Sequence, residues 1–199
     1  MTANEDDWIR PVIDPTPLVD PRVRRLGTDE LTAAEVDALR ALLWEAFESD
    51  EDPFTEDDWE HALGGRHFLL EQDGRVVAHA AVVEREIVVA GRPLRTGYVE
   101  AVAVAPSLQG RGFGTAVMRE ATAYVRGRFE LGVLGTGSHH FYERLGWIRW
   151  RGPSSVLTPD GLRPTPDDDG FLMVLPTRST PALDPTDPIV CGWRPGAVW

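Results

Sequence analysis

The stretch 98–114 constrains this chain more than any other. It reads Tyr-Val-Glu-Ala-Val-Ala-Val-Ala-Pro-Ser-Leu-Gln-Gly-Arg-Gly-Phe-Gly. Its first half alternates, with Tyr98, Glu100, Val102 and Val104 on one side and Val99, Ala101 and Ala103 on the other, which is the period of a β-strand. Ala105-Pro106-Ser107 ends the strand, because proline lacks the N–H for a ladder and restricts the residue before it. Helical spacing follows the glycines, with Val117, Ala121, Tyr124 and Val125 on one side. A strand therefore feeds a glycine-rich turn that opens a helix. The first turn of a helix carries unpaired N–H groups and a partial positive charge. Glycines let the backbone approach a ligand, so the junction makes a nest for an anion, most often a phosphate. It is not a Walker loop, since no Gly-Lys-Ser/Thr follows, and its glycines do not fall as the dinucleotide fingerprint requires.

The 199 residues suffice for one domain with a substantial core, and a 42% hydrophobic content excludes wholesale disorder. Twenty basic against 32 acidic side chains leave a net charge of −12. That sign disfavours nucleic acid and suits a cationic small-molecule partner if acids line a cleft. The lone cysteine, Cys191, has no internal partner for a disulfide. No apolar signal segment opens the chain and no run of about eighteen apolar residues exists, so the expectation is a cytoplasmic protein without a membrane partner.

In chain order, 1–21 hold four prolines and no clear period, which reads as an irregular arm. Residues 22–199 read as a single domain. A short strand over 22–26 precedes Thr32-Ala-Ala-Glu35, a capping box that opens a helix ending near Ser49. The loop 50–59 is acidic. A strand pair over 67–71 and 75–85 meets at the Asp73-Gly74 turn, and 86–89 and 93–104 continue the meander through Ala90-Gly91. Then come the helix 112–126, a strand over 129–134, a second helix through Leu145 ended by Gly146, and a strand over 147–150. This order predicts an α/β (α+β) fold, a mixed central sheet with helices on both faces. The stretch 151–199 holds nine of the sixteen prolines and one clear strand, 171–175. It is expected to be an extension wrapped on the domain.

The pattern Gln-x-x-Gly-x-Gly after a strand resembles the pyrophosphate loop of GNAT acyltransferases, which hold acetyl-coenzyme A. Amide formation from an amine and a thioester needs four things. The cofactor must be gripped, the carbonyl polarised, the amine deprotonated and the departing thiolate protonated. Gln109, Gly110, Arg111, Gly112, Phe113 and Gly114 supply the candidate grip. The backbone N–H groups of Val102, Ala103 and Val104 join it if the strand splays at a bulge. Glu100, a carboxylate in an otherwise apolar strand, is a candidate base or the partner in a buried ion pair. Tyr142 stands where GNAT enzymes often place the acid for the thiolate, and is equally readable as a core aromatic.

A closer resemblance runs from about residue 30 to the last residue. Asp-Trp-Glu-His-Ala-Leu-Gly-Gly (58–65), His-Ala-Ala-Val-Val (79–83), Gly-Tyr-Val-Glu-Ala-Val-Ala-Val (97–104), Gly-Pro-Ser-Ser-Val-Leu (152–157), Thr-Pro-Asp-Asp-Asp-Gly (165–170) and Cys-Gly-Trp-Arg-Pro-Gly-Ala-Val-Trp (191–199) resemble the aminoglycoside 2'-N-acetyltransferases of actinobacteria. The resemblance implies the GNAT fold, acetyl-CoA as cofactor, a cationic amino sugar as acceptor and a possible homodimer. It implies that Glu100 activates the amine through a water and that Tyr142 is the acid. It implies that Asp52, Asp58, Ala101, Gly135, Asp167, Asp168 and the C-terminal Trp199 surround the acceptor, whose charges several carboxylates would meet. Gly192 and Ala197 stand where the family carries two acids, and Gly135 where it carries a serine. Three other readings remain at this point: a GNAT enzyme for another amine, a GNAT-like module that binds acyl-CoA without turnover and, ranked below them because the C-terminal extension would occupy a peptide groove, a protein or peptide acetyltransferase.

Overall fold

The computed structural model describes residues 22–48 and 53–199. The expected arm at 1–21 and Asp52 lie outside the described residues. Strand β1 is Val23–Gly27, helix α1 Ala33–Phe47, α2 Glu56–Ala62, β2 Arg66–Gln72, β3 Arg75–Val89 and β4 Arg92–Val104. Helix α3 is Phe113–Arg128, β5 Leu131–Gly135, α4 His139–Glu143 and β6 Ile148–Arg149. The capping box forms as expected: the Glu35 N–H donates to Thr32 Oγ1 and the Thr32 N–H donates to Glu35 Oε2. Both hairpin turns carry positive φ at their two central residues, Asp73-Gly74 and Ala90-Gly91, which matches the twist of the flanking strands.

Three sequence expectations are corrected. Strand β3 runs unbroken through Glu86, where two pieces were expected. The second helix, α4, stops at Glu143 and not at Leu145. The stretch 151–199 contributes four strands to the sheet where one was expected: β7 Ser154–Thr158, β8 Gly161–Pro164, β9 Leu172–Pro176 and β10 Ile189–Gly192. They are short and proline-punctuated, so they show little period. The pairing of β10 is also non-local, antiparallel to β3 on one side and parallel to β7 on the other.

The sheet order is β6-β9-β5-β4-β3-β10-β7-β8, with β2 and then β1 branching from β3. Strand β3 can serve two neighbours because it is long: its first half pairs with β2 and its last residues with β10. One face packs on α3, through Phe68, Leu70, Ala80, Val82 and Val99 against Val117, Met118, Ala121 and Val125. The alternate residue Leu69 faces Leu39 and Leu43 of α1 and Trp59 of α2. Farther along that second face, Val83 and Tyr98 join Trp150, Leu172, Ile189 and Cys191 in a core that the C-terminal stretch closes. Helices thus cover both faces, as expected.

The parallel pair β4–β5 is held close to α3 by two facing glycines, Gly97 and Gly132, which are register partners. A Cβ on Gly132 would stand 2.8 Å from Val125 Cγ1 and 2.9 Å from Leu175 Cβ. A Cβ on Gly97 would stand 2.7 Å from Phe129 Cδ2. All three distances are below any ordinary carbon contact, so the helix can lie at this depth only if neither residue has a side chain. Gly132→Ala should therefore destabilise the protein by about 1–3 kcal/mol, the usual cost of overpacking. Urea unfolding should show a lower midpoint with an unchanged slope.

Candidate functional site

Strands β4 and β5 pair over only three residues, Thr96↔Leu131, Gly97↔Gly132 and Tyr98↔Val133. Beyond Tyr98 they part. On the other side of β4 the register with β3 jumps from Ala81↔Glu100 to His79↔Ala103, so Ala101 and Val102 together oppose Ala80 alone. That is the β-bulge expected next to a site. Ala101 adopts φ 50°, a left-handed conformation that costs a non-glycine residue roughly 1–2 kcal/mol. The parting strands open a cleft of about 780 Å³, within the range of small-molecule sites. It is lined by 98–104 of β4, the loop after it, 134–138 from the end of β5 into the turn beyond, the aromatic side of α4 and Trp199.

The loop has the geometry of an anion nest. A short 3-10 turn, Pro106–Leu108, leads to Gln109, whose side-chain amide donates to the Val104 carbonyl at 3.4 Å. Gly110 (φ 74°) and Gly112 (φ 90°) are left-handed, a conformation that glycine adopts without steric cost. Gly112 is the residue before α3 and offers no side-chain cap, so the first N–H groups of the helix stay available for a ligand. A Cβ at either glycine would meet nothing within 4 Å, so the space beside the backbone is open. Gln109, Gly110, Gly112, Phe113 and Gly114 line the cleft and Arg111 does not. This donor set fits a pyrophosphate.

Glu100 enters the cleft from β4, just before the bulge. Its Oε1 accepts from Arg194 Nη1 at 2.5 Å, with the two side chains 13% and 14% exposed. The ion-pair reading of Glu100 is therefore correct as geometry, and it leaves the carboxylate facing the cleft. Arg194 comes from the C-terminal stretch and is steered by its own Nε, which donates to the Ala197 carbonyl at 2.8 Å. Beneath the pair lies Tyr98, whose ring carries the Arg85 guanidinium 4.6 Å from its centroid and that of Arg194 at 5.5 Å. Burial, and then the Glu100 charge, push the Tyr98 phenol far above its ordinary range. Tyr142 also lines the cleft, packed edge-on against Phe141 and Trp147, and burial raises its phenol strongly.

Asp58, Asp167 and Asp168, expected around an acceptor, are not in the lining. Asp58 is spent on the α2 cap, where its Oδ2 accepts from the Thr55 N–H at 2.9 Å and from the Thr55 hydroxyl at 2.7 Å. Asp167 and Asp168 form the 3-10 turn Pro166–Asp168, and burial raises the Asp168 carboxyl. Both groups nevertheless border the C-terminal stretch. A Cβ on Gly196 would stand 2.7 Å from that of Asp57, and Trp199 Nε1 donates to Thr165 Oγ1, beside that turn, at 3.0 Å. Gly135 and Trp199 meet across the cleft, the Trp199 carbonyl carbon lying 3.8 Å from where a Gly135 Cβ would stand. Neither Gly192 nor Ala197 lines the cleft. The sequence reading missed Arg194. The basic residue in the 191–199 block was its only trace, and no spacing rule links it to Glu100.

A family model described as an acetyltransferase (GNAT) domain matches residues 28–149. The sequence is 44% identical over 181 residues to an aminoglycoside 2'-N-acetyltransferase from Mycolicibacterium fortuitum, covering 88% of this chain and 91% of that protein. In fold it is similar to a GNAT family N-acetyltransferase from Escherichia coli in complex with CoA, with a TM-score of 0.60, 17% identity and 86% and 89% of the two chains covered. It is also similar to a GNAT acetyltransferase from Brucella melitensis in complex with acetyl-CoA, at a TM-score of 0.57, 18% identity and 81% and 92% coverage. No helix among the described residues is long and apolar enough to cross a membrane.

The nest predicts a charge-specific loss. Gly112→Asp places a carboxylate beside a pyrophosphate site and should weaken CoA binding by tenfold or more in calorimetry. Gly112→Asn shares its shape and its left-handed backbone strain without the charge, and should weaken binding less. Equal losses in the two variants would assign the effect to backbone strain alone.

Proposed function

The chain belongs to the aminoglycoside 2'-N-acetyltransferase family of GNAT acetyltransferases and is an acetyl-CoA-dependent N-acetyltransferase; from that premise we propose that its acceptor is the 2'-amine of an aminoglycoside and that Glu100 takes up the amine proton through a water. One observation carries the reading of Glu100. It is the only acidic side chain among the described residues that line the cleft, and it stands immediately before the bulge.

Acetyl-CoA supplies the acetyl group as a thioester. The nest from Gln109 to Gly114 and the first turn of α3 would hold its pyrophosphate, and the backbone of 102–104 would line its path. Arg194 fixes the direction of the Glu100 carboxylate, and a base must be oriented before its basicity counts. Tyr142 keeps its proton at neutral pH because burial raises its phenol. That suits it to donate a hydrogen bond to the developing thiolate more than to give its proton away. Asp57 of α2 lies against Gly196, and the turn holding Asp167 and Asp168 follows Thr165, which accepts the indole N–H of the cleft-lining Trp199. A polycation entering there would meet carboxylates at the rim and Glu100 at the base. Each such contact is worth about 1.5–3 kcal/mol where desolvated and far less where exposed.

The experiment is an amine screen for thiol release with acetyl-CoA, followed by mass-spectrometric mapping of the product. Acetylation at the 2'-nitrogen is expected. Turnover confined to other amines would reject the acceptor while leaving the enzyme class in place. Glu100→Gln should lower kcat by roughly 10²–10⁴, the range for a lost general base, with little change in affinity for acetyl-CoA. An undiminished rate at neutral pH would remove Glu100 from the mechanism.

A further inference from the structure

Two fully buried histidines lie behind the cleft and take no part in the chemistry above. His67 is on β2 and His79 on β3, in the His-Ala-Ala-Val-Val block, and neither is exposed at all. Their rings are near-parallel, with centroids 5.3 Å apart and a 28° tilt. His79 Nδ1 lies 2.8 Å from the Ala101 carbonyl oxygen, and its Nε2 lies 3.0 Å from His67 Nδ1. His67 Nε2 lies 2.9 Å from Thr28 Oγ1, which accepts the Gly64 N–H at 2.9 Å.

The direction of this chain follows from its ends. A carbonyl only accepts, so His79 Nδ1 carries the hydrogen. Burial holds both imidazoles neutral at pH 7, with His67 pushed down to about 4 and His79 to about 3. A neutral His79 then accepts at Nε2, which makes His67 Nδ1 a donor and His67 Nε2 an acceptor for the Thr28 hydroxyl. Every polar atom of both rings is satisfied, and only one arrangement of hydrogens does it. The chain ends on a peptide carbonyl, which is no proton carrier, so it transmits orientation and not protons.

We propose that His79, fixed by His67, is a positioning residue for acetyl transfer: it holds the Ala101–Val102 peptide of the bulge in the orientation that the cleft requires. The peptide bonds are trans, so with the Ala101 carbonyl turned to His79 the Val102 N–H points the opposite way. Val102 lines the cleft, and neither Ala101 nor Val102 has a register partner in β3 or β5. The strained φ of Ala101 gives this peptide a reason to relax if its anchor is lost. The inference rests on the reading of β4 and Glu100 as the reacting centre.

The test pairs kinetics with spectroscopy. His79→Leu removes the donor and should lower kcat by about 10–100-fold, the scale of a misplacement near 1 Å, while calorimetric affinity for CoA changes less than threefold. His79→Asn places an amide N–H near the position of Nδ1 and should recover most of the lost rate. Nitrogen-detected spectra of the unmodified protein at pH 7 should show both rings as Nδ1–H tautomers. The Val102 amide resonance should move on acetyl-CoA binding in the unmodified protein and not in His79→Leu. This arm needs no acceptor, so it stands or falls separately from the aminoglycoside assignment. If His79→Leu does not fold, His67→Leu and His67→Asn carry the same comparison one link away. An unchanged kcat in a folded leucine variant overturns the proposal. So do equal losses in the leucine and asparagine variants, or an Nε2–H tautomer at His79.

Discussion

The structure depends on a short truce between two parallel strands. Strands β4 and β5 pair for three residues and then part, and everything that makes a site lies in the gap they leave. The pairing needs α3 close beneath it, which Gly97 and Gly132 allow by having no side chains where Phe129, Val125 and Leu175 come nearest. The parting needs β4 to keep its other neighbour while turning away from β5. The bulge at Ala101 and Val102 does that, by placing two residues opposite one of β3. A parallel strand that ends its ladder early exposes backbone groups, and those groups are what a cofactor can pair with.

The electrostatics of the cleft are built from distant parts of the chain. Glu100 belongs to β4 and Arg194 to the C-terminal stretch, and they meet at 2.5 Å over the ring of Tyr98. A half-buried pair of this kind is weak evidence for stability, because desolvation offsets much of the attraction. Its clearer consequence is orientation. Strand β10 enters the sheet beside β3, and the residues after it bring Arg194 to Glu100, Gly196 against Asp57 of α2 and Trp199 into the cleft lining. The C-terminal stretch is thus both part of the sheet and one wall of the site.

The sequence by itself determined the local parts. Alternation in 98–104, the proline after it, the glycines at 110 and 112 and the helical stripe from Val117 specify a strand, a nest and a helix, since each follows from rules spanning a few residues. The hairpin turns at Asp73-Gly74 and Ala90-Gly91 were legible for the same reason. So was the candidacy of Glu100, because a carboxylate in an apolar strand is locally anomalous. What only the tertiary structure decided is who meets whom. No spacing rule pairs Glu100 with Arg194 or seats β10 between β3 and β7. Nor does any local rule aim two histidines from different strands at the carbonyl of a bulge. The acids at 58, 167 and 168 show the converse: their charge was plain in the sequence, but packing left all three out of the cleft lining. Local structure depends on neighbouring dihedrals and short periods, whereas a site depends on long-range packing, which fixes distances that the sequence does not record.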